Sequence, residues 1–327
     1  MMEKSKDIIV SIIIPTLNEE KYIGECLESL INQSYSSKAT EILIIDGCSI
    51  DNTINICKTY TEQANIRILK NEKKKTTYAL NKGIKEAQGK YIIRIDAHAY
   101  YAQDYVEKCV YYLDNLDVEN VGGIAETKGK GKTGEAIAKM LSSKFGVGDS
   151  AFRTQGQSGY VDTVPFGAFR KEVFDKIGGF NHNLPRSEDN DINARIRDIG
   201  GKIWLADDIK FVYYCRDTIK GILKMSIQNG NALFRTMKEN HKAMSARHFT
   251  PFCFFISLIV LPLGSLICPI ARILLGFELL LYLILDAYFS LKRINKGSRV
   301  MLMLLFPLFH LTYGFGSFLG LIGVKLY

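Results

Sequence analysis

Four short runs rich in β-branched and aromatic residues, at 8–14, 41–45, 66–69 and 91–95, recur within the first hundred positions. After the first, Tyr22, Ile23, Cys26, Leu27 and Leu30 repeat at helical spacing. After the second, Asp51-Asn52-Thr53 opens a helix to about 63, and after the third a helix over 77–87 is stopped by Gly89. Strands and helices in alternation confine a chain to an α/β architecture with a mainly parallel sheet and right-handed crossovers. Near-continuous apolar runs are the mark of strands buried on both faces, and ligands of such sheets bind beyond the strands' carboxyl ends. The fourth run ends in Asp96-Ala97-His98-Ala99, so Asp96 and His98 are expected at the mouth of a crevice. Two residues apart on extended chain, they share a face and can share one divalent cation or one set of phosphates. Spacing leaves a plainer alternative open, in which Asp96 starts the next helix and His98 packs against it.

The other strand ends carry similar chemistry. Pro15-Thr16-Leu17-Asn18-Glu19-Glu20 closes the first strand, and Asp46-Gly47-Cys48-Ser49 followed by Asp51 closes the second. A carboxylate beside small residues ahead of a helix suits a nucleotide, because it accepts from a base N–H and permits close approach. Each loop alone is also an ordinary helix cap; three at successive strand ends are more specific. Gly129, Gly131 and Gly134 spell G-x-G-x-x-G, but a dinucleotide fingerprint belongs at the first strand-to-helix turn, and a phosphate loop needs glycine where Glu126 stands. Residues 127–134 are therefore expected to form a flexible basic loop before a helix at 135–144. Further on come Asp162-Thr163-Val164-Pro165-Phe166-Gly167, then Ile177-Gly178-Gly179-Phe180, then Arg186-Ser187-Glu188-Asp189-Asn190-Asp191 ahead of a helix containing Ile192, Ala194, Arg195, Ile196 and Ile199. Glu188 and Asp189 fall at that helix's N-terminus, where the macrodipole favours ionised acids and a capping cluster is the plain alternative.

Hydropathy divides the 327 residues unevenly. The expected organisation is a catalytic domain at 1–215, a basic amphipathic interface segment at 216–250 and a membrane region at 251–327. Apolar stretches at 252–271, 273–291 and 300–324 each approach or exceed the roughly 20 residues that span a bilayer, giving about three transmembrane helices or, alternatively, hairpins in the interface. Glu278 and Asp286 within a span are costly unless they face protein. Lys292, Arg293, Lys296 and Arg299 would lie on the same side as the catalytic domain, in accord with the positive-inside rule. The net charge of +8 does not imply nucleic acid. Lys210, Arg216, Lys220, Lys224, Arg235, Lys238, Lys242 and Arg247 form a basic block just before the apolar region, and anionic lipid is the simpler partner. An amphipathic helix on the cytoplasmic leaflet is expected there. Seven scattered cysteines without a C-x-x-C pair suggest reduced thiols, and no signal-peptide pattern opens the chain.

The segments 12–19, 46–53, Ala79-x-Asn81-x-Gly83, Asp96-Ala97-His98, Gly178-Gly179-Phe180 and Glu188-Asp189 together resemble the inverting glycosyltransferase family 2 over about 10–214. Asp-Ala-His-Ala, Asp162-Thr163-Val164 and Phe166-Gly167-Ala168-Phe169-Arg170 are similar to its succinoglycan-biosynthesis subgroup. The resemblance implies a GT-A-type nucleotide-diphospho-sugar transferase domain, α/β with a mixed central sheet, followed by C-terminal transmembrane helices. It implies Pro15, Thr16 and Glu19 around base and ribose, Asp46 facing the base, Asp96 at ribose and metal, His98 in place of the usual acidic ligand, Asp189 as general base and Glu188 on the acceptor side. An Asp and His pair favours Mn²⁺ over Mg²⁺ as the divalent cation. Processive relatives carry Gln-x-x-Arg-Trp after the base; here Trp204 is the sole tryptophan, so single addition is expected. The implied activity is transfer of one sugar, a UDP-sugar in expectation, to a lipid-linked saccharide in surface polysaccharide assembly. The implied setting is the inner membrane, multi-pass, with a cytoplasmic catalytic domain. Alternatives are transfer to polyprenyl phosphate, or a silent membrane scaffold that binds nucleotide sugar.

Overall fold

In the first third of the chain, strand and helix alternate as the hydrophobic runs dictate: β1 (Val10–Thr16), α1 (Ile23–Ile31), β2 (Thr40–Asp46), α2 (Thr53–Thr59), β3 (Ile66–Lys70), α3 (Thr76–Glu86) and β4 (Tyr91–Arg94). The structure is a computed structural model that describes residues 7–154, 156–184, 186–292 and 296–326, without the side chains of 296–298. Arg293 and the Lys296 side chain, both part of the charge asymmetry above, lie outside the described residues. Next come β5 (Ala99–Tyr101), α4 (Tyr105–Asn115), β6 (Asn120–Lys128), α5 (Gly131–Leu141), α6 (Lys144–Val147), β7 (Gly159–Tyr160), β8 (Ala168–Arg170), α7 (Glu172–Ile177), α8 (Glu188–Asp198) and β9 (Ile203–Tyr214). Four long helices end the chain, α9 (Ile219–Glu239), α10 (Ala246–Ser265), α11 (Pro269–Leu291) and α12 (Lys296–Leu321). Two compact units result, Met1–Glu126 with Gln155–Tyr213, and Thr127–Thr154 with Tyr214–Tyr327. The segment at 127–154 thus groups with the C-terminal helices.

The first unit is built on a nine-stranded mixed sheet in the order β3-β2-β1-β4-β8-β6-β9-β5, with β7 paired to β9. β3, β2, β1 and β4 run parallel, and β8 joins β4 antiparallel. Ile12, Ile13, Ile14, Leu43, Ile44, Ile92 and Ile93 are almost wholly buried, as expected of strands covered on both faces. α1 buries Ile23, Cys26, Leu27 and Leu30, the i, i+3, i+4, i+7 stripe of an amphipathic helix. α3 lies so close to β1 that a Cβ on Gly83 would stand 2.5 Å from Ile13 Cγ2. In the parallel register Thr16 lies opposite Asp46, and Asp46 opposite Lys70, so the first three loops emerge at one edge.

Three local expectations are corrected. Asp96 does not begin a helix: the chain continues into β5, and α4 starts only at Tyr105. The helix after β2 stops at Thr59, short of 63. The expected basic loop at 127–134 is mostly ordered, because β6 continues to Lys128 and α5 begins at Gly131. A Cβ on Gly129 would stand 2.1 Å from the Gly134 carbonyl oxygen, so these glycines let the backbone fold onto itself.

In the second unit α9 packs on α12 through small residues. A Cβ on Gly230 would meet the Tyr313 carbonyl oxygen at 2.0 Å, and one on Gly316 the Ile227 carbonyl oxygen at 2.1 Å. Ser226 Oγ donates to the Phe309 carbonyl at 2.7 Å. Ile222, Ser226, Gly230 and Leu233 are buried, so α12 covers that stripe of α9, while Ile219 stays exposed. Among the described residues two helices are long and apolar enough to cross a membrane, Ala246–Ser265 and Arg299–Leu321. The third expected span, α11, carries Arg272, Glu278 and Asp286 and does not qualify. Its acids do meet protein: Ser257 Oγ donates to Glu278 at 2.6 Å and Ser290 Oγ to Asp286 at 3.0 Å.

Candidate active site

The loops after β1 and β2 are tied together before any ligand is considered. Asn18 N–H donates to Ser49 Oγ at 2.9 Å, Ile50 N–H to Asn18 Oδ1 at 2.9 Å, and Glu19 N–H to Thr53 Oγ1 at 2.7 Å. Among the described residues, the non-glycine positions with positive φ are Asn18, Cys48, Lys74, Phe166 and Ser187. Asn18, Cys48 and Lys74 lie in the loops after β1, β2 and β3, and Ser187 precedes α8. Backbone held in this sparsely populated region collects at functional sites. An open cleft lies at this edge, lined in part by Pro15, Thr16, Glu19, Asp96 and His98. Gly47, Asn71, Lys74 and Lys75 complete much of its wall. Thr16 Oγ1 is buried there without a partner, an unmet polar group on the wall of a cavity.

Asp46 behaves differently. Its carboxylate is buried and accepts from the Ser49 amide at 3.1 and 3.2 Å and from the Ser49 hydroxyl at 2.6 Å. It therefore shapes the turn beneath Gly47.

His98 stands between two acids. Nδ1 lies 3.3 Å from Glu19 Oε1, and Nε2 lies 3.5 Å from Asp96 Oδ2. With Nδ1–H donating to Glu19, the Nε2 lone pair faces the same space as Asp96, the arrangement in which a second carboxylate fixes a ligating imidazole. Neighbouring ligands of an octahedral cation with bonds of about 2.1 Å stand about 3 Å apart, so the two atoms suit adjacent positions on one ion. Among the described residues no group of three or more His, Cys, Asp or Glu could hold a metal. A cation here would take its remaining ligands from a bound anion and water.

The second cluster forms where β4 ends. Arg94 is buried, with its guanidinium Nη2 2.9 Å from Glu188 Oε1 and its Nη1 donating to Asp189 Oδ1. Burial drives the Asp189 carboxyl upward; Arg94 opposes this, while Glu188 and Asp96 add to it, leaving Asp189 above the usual carboxylate range. Arg94 is held above its ordinary value, its own desolvation being outweighed by Asp189, Glu188 and Asp96. A half-buried carboxylate that is more basic than usual, yet paired with a fixed cation, is suited to taking a proton.

The motifs around this cluster place α8. Asn81 Nδ2 donates to the Phe180 carbonyl at 2.8 Å and Phe180 N–H returns a bond to Asn81 Oδ1 at 2.7 Å, while a Cβ on Gly179 would stand 2.4 Å from that same Oδ1. Arg195 of α8 reaches the carbonyls of Ile177 at 2.7 Å and Gly179 at 2.9 Å. Asn193 donates to Thr163 Oγ1 and to the Val164 carbonyl, both at 2.9 Å. The glycine and Asp-Thr-Val stretches are thus the seat of the helix whose first turn carries Glu188 and Asp189.

Sequence reading found Pro15, Thr16, Glu19, Asp96 and His98, which the fold brings to one cleft, and Glu188 with Asp189, which it brings to Arg94 two residues before Asp96. It missed Arg94, Lys74 and Lys75. The signal for Arg94 was a charge inside the run Tyr91-Ile92-Ile93-Arg94-Ile95, since a buried guanidinium requires acidic partners.

A family model described as glycosyl transferase family 2 matches residues 11–178. A relative from Methanococcus voltae, named dolichyl N-acetyl-alpha-D-glucosaminyl phosphate 3-beta-D-2,3-diacetamido-2,3-dideoxy-beta-D-glucuronosyltransferase, is 31% identical over 325 residues, 96% of this chain and 97% of that one. The succinoglycan biosynthesis protein ExoA of Rhizobium meliloti is 32% identical over 208 residues, 63% of this chain and 63% of that one. Among solved structures, mannosyltransferase PcManGT from Pyrobaculum calidifontis in complex with GDP-Man and Mn²⁺ is similar in fold, with TM-score 0.66 at 18% identity over 94% of this chain and 86% of that one.

Proposed function

We propose, on the premise that the chain belongs to glycosyltransferase family 2, that it transfers a single sugar with inversion from a nucleoside-diphosphate donor to a lipid-linked saccharide at a membrane. The observation that carries this reading is the pairing of Glu188 and Asp189 with Arg94, on the strand whose tip bears Asp96 and leads to His98. A proton acceptor and a candidate donor pair are thereby referred to one rigid element.

Inversion is one in-line displacement at the anomeric carbon, for which an acceptor hydroxyl must lose its proton as the nucleoside diphosphate departs. Asp189 takes that proton: Arg94 engages Oδ1, and Oδ2 is the atom presented to the acceptor. Pro15, Thr16 and Glu19 line the nucleoside end of the cleft, and the unmet Thr16 hydroxyl has its partner in the donor. Asp96 and His98 hold a divalent cation, Mn²⁺ in preference to Mg²⁺, because one ligand is nitrogen. When bound, that ion neutralises the charge building on the departing diphosphate. Lys74 and Lys75 add fixed positive charge to the same wall.

The lipid-linked acceptor is favoured by the Methanococcus relative, whose name specifies a dolichyl-phosphate-linked sugar as acceptor and which matches over nearly its whole length. That acceptor already bears a sugar, which favours extension over transfer to bare polyprenyl phosphate. A silent scaffold would have no use for a half-buried acid pair clasped by a buried arginine. The inner membrane, with the catalytic domain on the cytoplasmic side, is the setting proposed for the two apolar helices.

Asp189→Asn tests the base. The amide keeps the shape, so nucleoside-diphosphate affinity should stay within about twofold while turnover falls roughly a hundredfold or more, the scale of general-base removal. Undiminished turnover in the variant rules Asp189 out.

A further inference from the structure

We propose that Arg94 is a positioning residue for sugar transfer, its guanidinium clasping Glu188 and Asp189 so that the free oxygen of Asp189 is aimed at the acceptor hydroxyl. The inference rests on Asp189 being the base and adds a group that acts through it.

The backbone of Arg94 is fixed on both sides. Arg94 N–H donates to the Gly167 carbonyl at 3.0 Å, and Ile95 N–H to the Ile13 carbonyl at 3.0 Å. Its side chain is only 5% exposed and lies against the rings of Phe166 and Phe180, 5.4 and 5.9 Å from the ring centres. Within that box one nitrogen meets each acid, while Nε is buried without a partner among the described residues. The guanidinium is oriented for the acid pair even though one of its own donors goes unmet.

Helix α8 needs such an anchor. Its N-cap, Ser187, has φ +63, and its own side chain makes no cap bond among the described residues, so Ser187 does not fix the first turn as a capping serine would. A planar fork suits two carboxylates on adjacent residues; a lysine ammonium, one point charge, does not reproduce that geometry. Stability alone is a poor reason for the arrangement, because a buried ion pair gains little over an apolar packing of similar volume. Arg94 also sits two residues before Asp96, so the clasp sets the base and the donor-side acid from the same strand tip. A displacement of about 1 Å at such a place can cost a hundredfold in rate.

The test uses the full chain in detergent, with turnover read on whichever labelled nucleotide sugar of a panel the wild type transfers to lipid extract, and with UDP and GDP as binding probes. Arg94→Lys keeps the charge and should lower kcat roughly tenfold to a hundredfold, with donor KM and nucleotide affinity within about twofold of wild type. Arg94→Ala should lose more, and added guanidinium ion should restore part of its kcat. Wild-type kcat in Arg94→Lys overturns the inference, as does a loss confined to donor KM, which would place Arg94 on the donor. If Arg94→Ala does not fold, the lysine variant decides alone. Asp189→Asn assayed beside them separates the two claims: an active Asp189→Asn removes the base and this inference together. An inactive Asp189→Asn beside a fully active Arg94→Lys removes only this one.

Discussion

His98 concentrates the chemistry of the donor side in one ring. Glu19, 3.3 Å from Nδ1, would hold a proton on that nitrogen, and the proposed cation site uses Nε2, 3.5 Å from Asp96 Oδ2. Replacing imidazole by carboxylate changes a borderline nitrogen for a hard oxygen without removing the ligand. Transfer should therefore be lost in excess chelator and restored better by Mn²⁺ than by Mg²⁺ in the wild type, with the ratio shifted toward Mg²⁺ in His98→Asp. An unchanged metal ratio, or full activity in chelator, would show that His98 ligates nothing. The pairing of Asp96 with His98 was legible because period-two geometry puts alternate residues of extended chain on one face. The bonds from Ser49 to Asp46 were not legible, since they depend on the backbone of the turn and on the rotamer of Ser49, whose hydroxyl is 2.6 Å away.

At the scale of elements, glycines decide how closely helices approach strands. Gly83 lies inside α3, where alanine normally stabilises a helix by about 1 kcal/mol. Here the added methyl would stand 2.5 Å from Ile13 Cγ2 in a fully buried strand, and overpacking of this kind costs roughly 1–3 kcal/mol. Gly83→Ala should therefore be net destabilising, measured as a lowered denaturation midpoint of the whole chain; a raised midpoint would mean that α3 relaxes freely away from β1. The strand and helix alternation up to β4 was legible because buried strands and amphipathic helices differ in period. The fate of α9 was not. A stripe of Ile222, Gly230 and Leu233 has the same pattern whether it is covered by lipid or by α12, and contacts such as those at Gly230 and Ser226 tell them apart. The start of α5 at Gly131 was hidden likewise, because the glycine-rich turn depends on Gly129 and Gly134 meeting in space.

At the scale of the whole molecule, one chain carries a nucleotide-sugar transferase fold and, among the described residues, two helices apolar enough to cross a membrane. That combination suits a soluble, charged donor and an acceptor held in lipid. That the chain belongs to glycosyltransferase family 2 was legible from the order of six motifs along it. The split of the second unit was not, because residues 127–154 join helices that follow 60 positions later. The anomeric configuration and length of the product decide whether the transfer is an inverting, single addition to a lipid-linked saccharide. Full-length enzyme in membranes, given a labelled nucleotide sugar and lipid extract, should yield a lipid-linked product longer by one sugar, whose new linkage has the configuration opposite to that of the donor. A product with the donor's configuration, or one extended by many sugars, would contradict it.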